Sequence, residues 1–232
     1  MMKSGIDQDA LVKMFSEAGT KQGEALRTAV SEATLKALQG RELTLENIRK
    51  VLKSVTQAAS AGAAMNGGST VDVEAILGKA FSGMDSALLQ AVEAHRKALQ
   101  QFVGMGAGLQ DKQVKGALAN IEKMEDVFFG AVTKAAQSAS EPMQGPWEHV
   151  LSAMKLKGTE TGVQASTAVE QLVTQAQTAL REGRAASMRG AQAMLDSYAA
   201  MVSGVLIGMS EGLQPSGDSS ASGKARSATA KK

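Results

Sequence analysis

The sequence predicts an all-α protein: long amphipathic helices forming an elongated antiparallel bundle, followed by a disordered C-terminal tail. Composition is the first reason, because hydrophobic residues make up 44% of the 232 residues while aromatic residues make up only 3%. Strands favour β-branched and aromatic residues, whereas Ala, Leu, Met, Gln, Glu and Lys favour helices. The second reason is that apolar residues recur at alternating intervals of four, three and four. The third is that Gly, Pro and Ser clusters separate the periodic runs.

The 4-3-4 interval is an 11-residue period, close to the pitch of a relaxed helix, so the helices are expected to run nearly straight. It occurs in four of the predicted helices, the first, third, fourth and last. In the first it selects Leu11, Phe15, Ala18, Gln22, Leu26, Ala29, Ala33 and Ala37. The middle stripe consists of Val73, Leu77, Ala80, Met84, Leu88, Ala91, His95, Leu99 and Phe102. Strands cannot produce this spacing. Such a stripe either packs inside a bundle or meets an external apolar surface or another subunit.

Helix-breaking and helix-capping residues divide the chain into a helical body, residues 1–213, and a tail, residues 214–232. Thr44 is a suitable N-cap, the segment Asn66–Thr70 is a turn cluster, and Pro146 is a suitable first residue of a helix. These signals place helices near the following ranges: 7–39, 45–64, 71–103, 110–140, 147–157 and 160–212. The short helix 45–64 carries Arg49, Lys50 and Lys53 around its apolar face.

The tail is rich in Ser, Ala and Gly and cannot bury enough apolar surface to fold, so it is predicted to be disordered. Its cations are Lys224, Arg226, Lys231 and Lys232, set against Asp218, while the body is nearly neutral. Four charges on a flexible segment would give weak, salt-sensitive contact with nucleic acid or an anionic surface. A purely solubilising tail is the alternative.

The residues give little support to catalysis, and we expect no catalytic residue, metal or cofactor. The chain has no Cys, which excludes disulfides and thiolate ligands. Neither His95 nor His149 has a Glu three residues before it, as a di-iron bundle requires. His95 lies on the apolar stripe and is predicted to be buried and satisfied, whereas His149 is predicted to face solvent. The glycine-rich run at 104–108 follows no strand, so it predicts a loop between helices.

Charged residues of the middle helix lie off the apolar stripe and are expected to form a solvated face. They are Asp85, Glu93, Arg96 and Lys97. The expectation follows from the helical period, because positions away from the stripe turn away from the helix's apolar neighbours.

The segment Ser197–Ser210 has no charged residue, but its roughly 14 residues fall short of the about 20 that a membrane span needs. It therefore predicts a buried or interfacial helix and no transmembrane span. The candidate apolar interaction stripe on it is Tyr198, Val202, Val205, Leu206 and Met209. The N-terminal residues lack the apolar core of a secretory signal, so a cytoplasmic location is expected.

Taken together, the body and tail resemble the phasins, which coat polyhydroxyalkanoate granules in bacteria. The resemblance rests on the Ala- and Gln-rich body without Cys, on low-aromatic amphipathic segments such as Val163–Leu180, and on the tail ending in Ser227-Ala228-Thr229-Ala230-Lys231-Lys232. The tail lacks repeated Lys-Pro-Ala units, and the body has more Gly than that family's pattern. The resemblance implies a non-catalytic coat on an apolar polyester granule.

Two functions from different classes follow. The first is a non-catalytic coat or scaffold protein that forms a homo-oligomer or covers a granule or lipid-like surface. The alternative is an adaptor whose apolar C-terminal helix binds a protein partner. An enzyme with a site in the bundle core is a third reading, which a bound metal or cofactor would favour.

Overall fold

The computed structural model describes residues 7–17, 23–39, 42–66, 70–104, 112–181 and 198–213. These residues form helices and their connections, with no strand among the described segments. The helices are α1 (Gln8–Glu17), α2 (Gly23–Gln39), α3 (Leu45–Met65), α4 (Thr70–Gly104), α5 (Lys112–Glu122), α6 (Met124–Gln137), α7 (Glu141–Lys157), α8 (Glu160–Arg181) and α9 (Tyr198–Leu213). The prediction of an all-α helical bundle is confirmed.

Two predicted helices match the structure almost residue for residue. The range 45–64 corresponds to α3, and the range 71–103 corresponds to α4. Thr44 caps α3 as expected, because its side-chain oxygen accepts a hydrogen bond from the backbone N–H of Asn47 at 3.2 Å. The predicted helices 7–39 and 160–212 each correspond to two described helices, and the residues between each pair lie outside the described part, as does the predicted disordered tail.

The predicted helix 110–140 is interrupted where α5 ends and α6 begins. Lys123 is a turn residue between them, yet its N–H still bonds to the carbonyl of Ala119 at 3.2 Å. The apolar stripe continues across this interruption, because Ala117, Ile121, Met124 and Phe128 are all buried. The interruption therefore leaves the stripe on the core.

Helix α7 begins six residues earlier than predicted. Ser140 has the extended backbone of an N-cap, and Pro142 lies in the first turn, where its missing N–H costs nothing. Pro146, the predicted first residue, lies inside the helix instead. The early start places Met143 and Trp147 on the buried face of α7. The burial of these two side chains stabilises the longer helix, and the local signal at Pro146 could not predict this tertiary packing.

Helix α4 is the central helix, and helices from both halves of the chain pack around it. All the positions of its predicted stripe are buried, and so are residues off the stripe such as Ile76, Phe81 and Val92. Met84 meets Thr56 of α3, and His95 interacts with the backbone of Leu43 just before α3, so α3 and α4 are antiparallel. Helices α2 and α8, which are not next to α4 in the sequence, run parallel to it.

On α2 the buried face differs slightly from the predicted stripe. The buried positions include Val30, Thr34 and Leu38, whereas the 4-3-4 interval selected Ala29 and Ala33, which are half-buried. A larger side chain removes more apolar area from water than alanine does. The helix is therefore rotated so that Val30 and Leu38 face α4.

Aromatic side chains join the later helices to the core. The rings of Phe81 and Phe128 have centroids 4.5 Å apart, and Phe129 lies 5.7 Å from Phe81. The buried Trp147 of α7 donates its indole N–H to the hydroxyl of Ser60 on α3 at 2.9 Å. That hydroxyl in turn donates to the carbonyl of Thr56 at 2.8 Å, so the indole N–H is satisfied inside the core.

Two buried glycines let neighbouring helices approach closely. A Cβ at Gly83 of α4 would lie 2.6 Å from the carbonyl oxygen of Arg27 on α2. A Cβ at Gly62 of α3 would lie 2.6 Å from the carbonyl oxygen of Val12 on α1. These positions explain part of the glycine content, because any larger residue would push α1 or α2 away from its neighbour. Among the described helices, none combines the length and the apolar character that crossing a membrane requires.

Candidate functional site

The predicted interaction stripe on α9 is turned largely inward. Val202 and Leu206 are fully buried in the hydrophobic core, where α9 packs on α4. These two side chains are therefore core residues, which corrects the expectation that they contact an outside surface. Val205 is partly buried against the same core and Met209 is half-exposed, while Tyr198 is the first residue of α9.

The other side of α9 faces solvent and is formed by Gly204, Ile207 and Gly208, which we call the α9 outer face. Ile207 is 39% exposed, one of the few large apolar side chains of the described residues left open to water. No charged residue occurs between Tyr198 and Ser210. A helix on a protein surface normally carries charged side chains on its outer side, so this face is unusual.

The glycines of this face have open space around them. A Cβ built at Gly204 or Gly208 would have no neighbouring atom within 4 Å, in contrast to Gly83. Each glycine inside a helix costs roughly 1 kcal/mol relative to alanine, and at Gly83 the close approach of α2 offsets that cost. At Gly204 and Gly208 no described residue supplies such an approach.

A polar site lies where α8 begins, against α4 and α6. The buried Asp85 accepts hydrogen bonds from the backbone N–H groups of Glu160 at 2.9 Å and Thr161 at 3.1 Å. Thr159, the residue before α8, donates its hydroxyl to Glu125 of α6 at 2.5 Å. Its hydroxyl oxygen also accepts from the N–H of Gly162 at 2.9 Å. Two carboxylates from other helices thus stabilise the positive end of α8.

Glycines make this junction possible. Gly158 has a φ of 75°, which residues with a side chain rarely adopt, and it ends α7 just before Thr159 and α8. A Cβ at Gly162 would collide with the carboxylate of Glu125. The predicted break near Gly158 and Thr159 is therefore present, and hydrogen bonds to Asp85 and Glu125 stabilise it. Asp85 was expected on a solvated face, and its burial corrects that prediction: the N–H groups of another helix replace its hydration.

Glu93 and Arg96 of α4 form a largely buried pair, which corrects their predicted place on a solvated face. Their side chains are 20% and 19% exposed, and Arg96 Nε donates to Glu93 Oε2 at 2.7 Å. Gln164 of α8 donates to the same carboxylate oxygen at 3.2 Å, and Arg96 reaches Gln171 at 3.3 Å. The hydrogen bond from Arg96 holds the pKa of Glu93 below its usual value. The group ties α8 to α4, whereas Lys97 is exposed as predicted.

The two histidines lie in opposite environments, as the sequence predicted. His95 is buried, and desolvation lowers its pKa to about 4, partly offset by a hydrogen bond with the backbone of Leu43. It is therefore a neutral core residue near pH 7. His149 is exposed, and its Nδ1 lies 2.9 Å from a carboxylate oxygen of Glu74. Hydrogen bonding to Glu74 raises the pKa of His149.

A shallow groove separates α3 from α6. We call it the α3–α6 groove, and its charged lining residues are Arg49, Lys53, Lys123, Asp126 and Lys134. Leu45, Val127, Gly130 and Ala131 form its apolar lining. The sequence placed Arg49 and Lys53 beside the apolar face of α3, but Lys123 and Lys134 were missed, because only the tertiary pairing of α3 with α6 brings them together.

No group of three or more His, Asp or Glu side chains is placed to hold a metal ion in the part of the chain that the structure describes. The basic tail residues Lys224, Arg226, Lys231 and Lys232 lie outside that part. Two surfaces of the described residues have features that suit binding, the α9 outer face and the α3–α6 groove.

Comparison with known proteins gives a family and no close relative. Searches among curated proteins and among solved structures gave no match. Residues 1–215 match the model of a family of unknown function (DUF6781), which covers the whole helical body. The match spans far more than half of the chain, so the protein belongs to this family.

Proposed function

We propose that this protein is a non-catalytic helical scaffold that acts by association through the α9 outer face, with a second copy of the chain as its first partner. The observation that supports the proposal is an anchored helix with an uncharged outward side. Val202 and Leu206 fix α9 to the bundle, while Ile207 remains open to water. Burying Ile207 and the apolar surface around it between two copies would be favourable, because that surface is removed from water.

The glycines favour another helix as the partner of this face. Small residues spaced four apart let two helix backbones approach closely, which increases van der Waals contact. Elsewhere in the bundle, Gly62 and Gly83 serve this purpose. Gly204 and Gly208 repeat the arrangement on the outside of α9 and have no neighbour within 4 Å.

A second version of the scaffold is a coat on an apolar particle, as the resemblance to phasins implies. The same outer face would lie against the particle, with Ile207 as the apolar contact. Binding of an interfacial helix strengthens with its buried apolar area. Ile207 alone provides little such area, which is why we place association between copies first.

The test compares two substitutions of the same kind at two exposed apolar residues. Ile207→Lys charges the α9 outer face, while Leu156→Lys charges a position that is 91% exposed near the end of α7. Light scattering and sedimentation over a range of concentrations should give an oligomer for the wild type and for Leu156→Lys, and a monomer for Ile207→Lys. A wild-type chain that remains monomeric contradicts self-association.

The particle version has its own measurement. The wild type is mixed with polyhydroxybutyrate particles and with phospholipid-coated droplets, and the bound fraction is measured after flotation. Binding that Ile207→Lys abolishes and Leu156→Lys retains supports a coat. A monomer that binds neither particle excludes the scaffold in both versions. If a different protein then co-purifies in a fixed ratio, the adaptor function takes its place.

A further inference from the structure

The α3–α6 groove concentrates positive charge on a body that is otherwise close to neutral. Arg49 and Lys53 line one side, Lys123 and Lys134 line the other, and Asp126 is the carboxylate that shares the groove. Arg49 and Lys134 line both halves of the groove, so the two halves adjoin. Such a concentration attracts anionic ligands and excludes cationic ones.

These four cations differ from the cations of the chain that are paired with a carboxylate. Lys50 lies 2.6 Å from Glu46, one turn away on the same helix, and Lys97 lies 3.9 Å from Glu93. Within the described residues, no carboxylate lies within ion-pair distance of any of the groove's four cations, which are all exposed. Their positive charge is therefore available to a ligand.

The shape of the groove favours an elongated ligand over a small anion. Lys123 and Lys134 lie eleven residues apart along one helical axis, which is about 16 Å at 1.5 Å per residue. Arg49, Lys53 and Lys134 line one half of the groove together, and Lys123 lies in the other half, so the four cations do not all meet at one point. A single phosphate or carboxylate could not contact them together, whereas a helix lying along the groove could.

The apolar lining distinguishes a polypeptide from a nucleic acid. Val127 and Ala131 are buried beneath the charged walls, and Gly130 has no atom within 4 Å of its Cβ position, so a ligand can approach the backbone of α6 there. No aromatic side chain lines the groove to stack on bases. Cationic walls with an apolar lining match an amphipathic helix that carries acidic side chains beside its apolar stripe.

We propose that the α3–α6 groove binds an acidic amphipathic helix of a partner protein. Arg49 and Lys53 pair with the acidic residues on one flank of that helix, and Lys123 and Lys134 pair with those on the other flank. The apolar stripe of the helix lies over Val127 and Ala131. This inference is independent of the α9 outer face, which lies on a different helix.

The first experiment measures binding of a fluorescent peptide of about 18 residues, built from Glu, Ala and Leu so that acidic flanks border an apolar stripe. The Arg49→Glu/Lys134→Glu double variant should weaken binding by about tenfold or more, because two attractions become repulsions. The control, Lys13→Glu/Lys36→Glu, makes the same change in net charge on exposed residues outside the groove and should leave the Kd within about twofold.

A second variant should improve binding, which damage to the fold cannot imitate. Asp126→Asn removes the carboxylate of the groove and should tighten the peptide's Kd by about two- to threefold. If the wild type does not bind the peptide, or if the groove and control variants weaken binding equally, the proposal is wrong. It is also wrong if a scrambled peptide of equal composition, or inorganic polyphosphate, binds as tightly as the amphipathic peptide.

Discussion

Helix α4 is held to α2 and to α8 by different physical means. Against α2 it places Gly83, whose missing side chain lets the two backbones come close. Against α8 it places Asp85 and the Glu93–Arg96 pair, which bind backbone N–H groups and side-chain amides. The contact with α2 depends on the missing side chain of Gly83, whereas the contact with α8 depends on hydrogen-bonded polar groups. The two contacts should therefore respond differently to substitution, which three measurements examine.

The largest effect is expected for the polar contact. Asp85→Ala removes the acceptor of the Glu160 and Thr161 N–H groups inside the bundle, so these donors at the start of α8 lose a charged partner. The free energy of unfolding should fall by about 3 kcal/mol. Urea unfolding of this variant is compared with Glu32→Ala, an exposed acid on α2 that should change stability by less than about 0.5 kcal/mol. Equal losses in the two variants would show that the cap is unimportant.

The glycine contact predicts effects of opposite sign at two positions of one helix. Gly83→Ala forces a Cβ to within 2.6 Å of the carbonyl oxygen of Arg27, so α2 must shift, at a cost of about 2 kcal/mol after the gain in helix propensity. Gly78→Ala meets no atom within 4 Å and should stabilise the protein by about 0.5–1 kcal/mol. Thermal unfolding measures both, and a stabilised Gly83→Ala variant would refute the close-approach explanation.

His95 gives a smaller loss of stability than Asp85→Ala or Gly83→Ala, through a third kind of contact in which α4 buries a neutral imidazole. Its pKa is about 4 in the folded protein and 6.5 when unfolded, so the unfolded chain binds more protons between these values. Stability is therefore greatest above pH 6.5 and falls as the pH is lowered towards 4, with about 1.5 kcal/mol lost between pH 6.5 and 5. Denaturant unfolding between pH 6.5 and 5 measures this loss of stability.

The control for this pH dependence removes each histidine in turn. His95→Gln should abolish the loss of stability between pH 6.5 and 5. His149→Gln should retain it, because the raised pKa of His149 makes a contribution of the opposite sign, which is present at low pH and lost as the pH rises. If the His95→Gln variant keeps the full pH dependence, carboxylates and not the buried imidazole are responsible.

Helical periodicity was sufficient to predict the central element of the fold. Every stripe position from Val73 to Phe102 is buried, because a helix surrounded by neighbours has to be apolar along the faces that meet them. Local capping signals also predicted the start of α3 at Thr44. Both features are carried by residues close together in the sequence, which is why sequence reasoning reached them.

The polar contacts could not be predicted in the same way. Asp85 and Thr161 are far apart in the sequence and meet only because α8 packs on α4, so the period alone assigned Asp85 to solvent. The same limit explains the α9 stripe: periodicity identified Val202 and Leu206 as apolar-facing, but it could not say whether that face meets the protein's own core or an outside partner. The sequence also could not show that Gly204 and Gly208 face open space, because that depends on the residues around them in the fold.

The position of Trp147 makes the intrinsic fluorescence of this protein a probe of its unfolding. It is the only tryptophan in the chain, it is fully buried, and its indole N–H is bonded to Ser60 across two helices. Its fluorescence therefore reports the loss of its buried environment, including the contact between α3 and α7. Comparing that signal with circular dichroism during unfolding will reveal whether α7 separates from the core before the remaining helices melt.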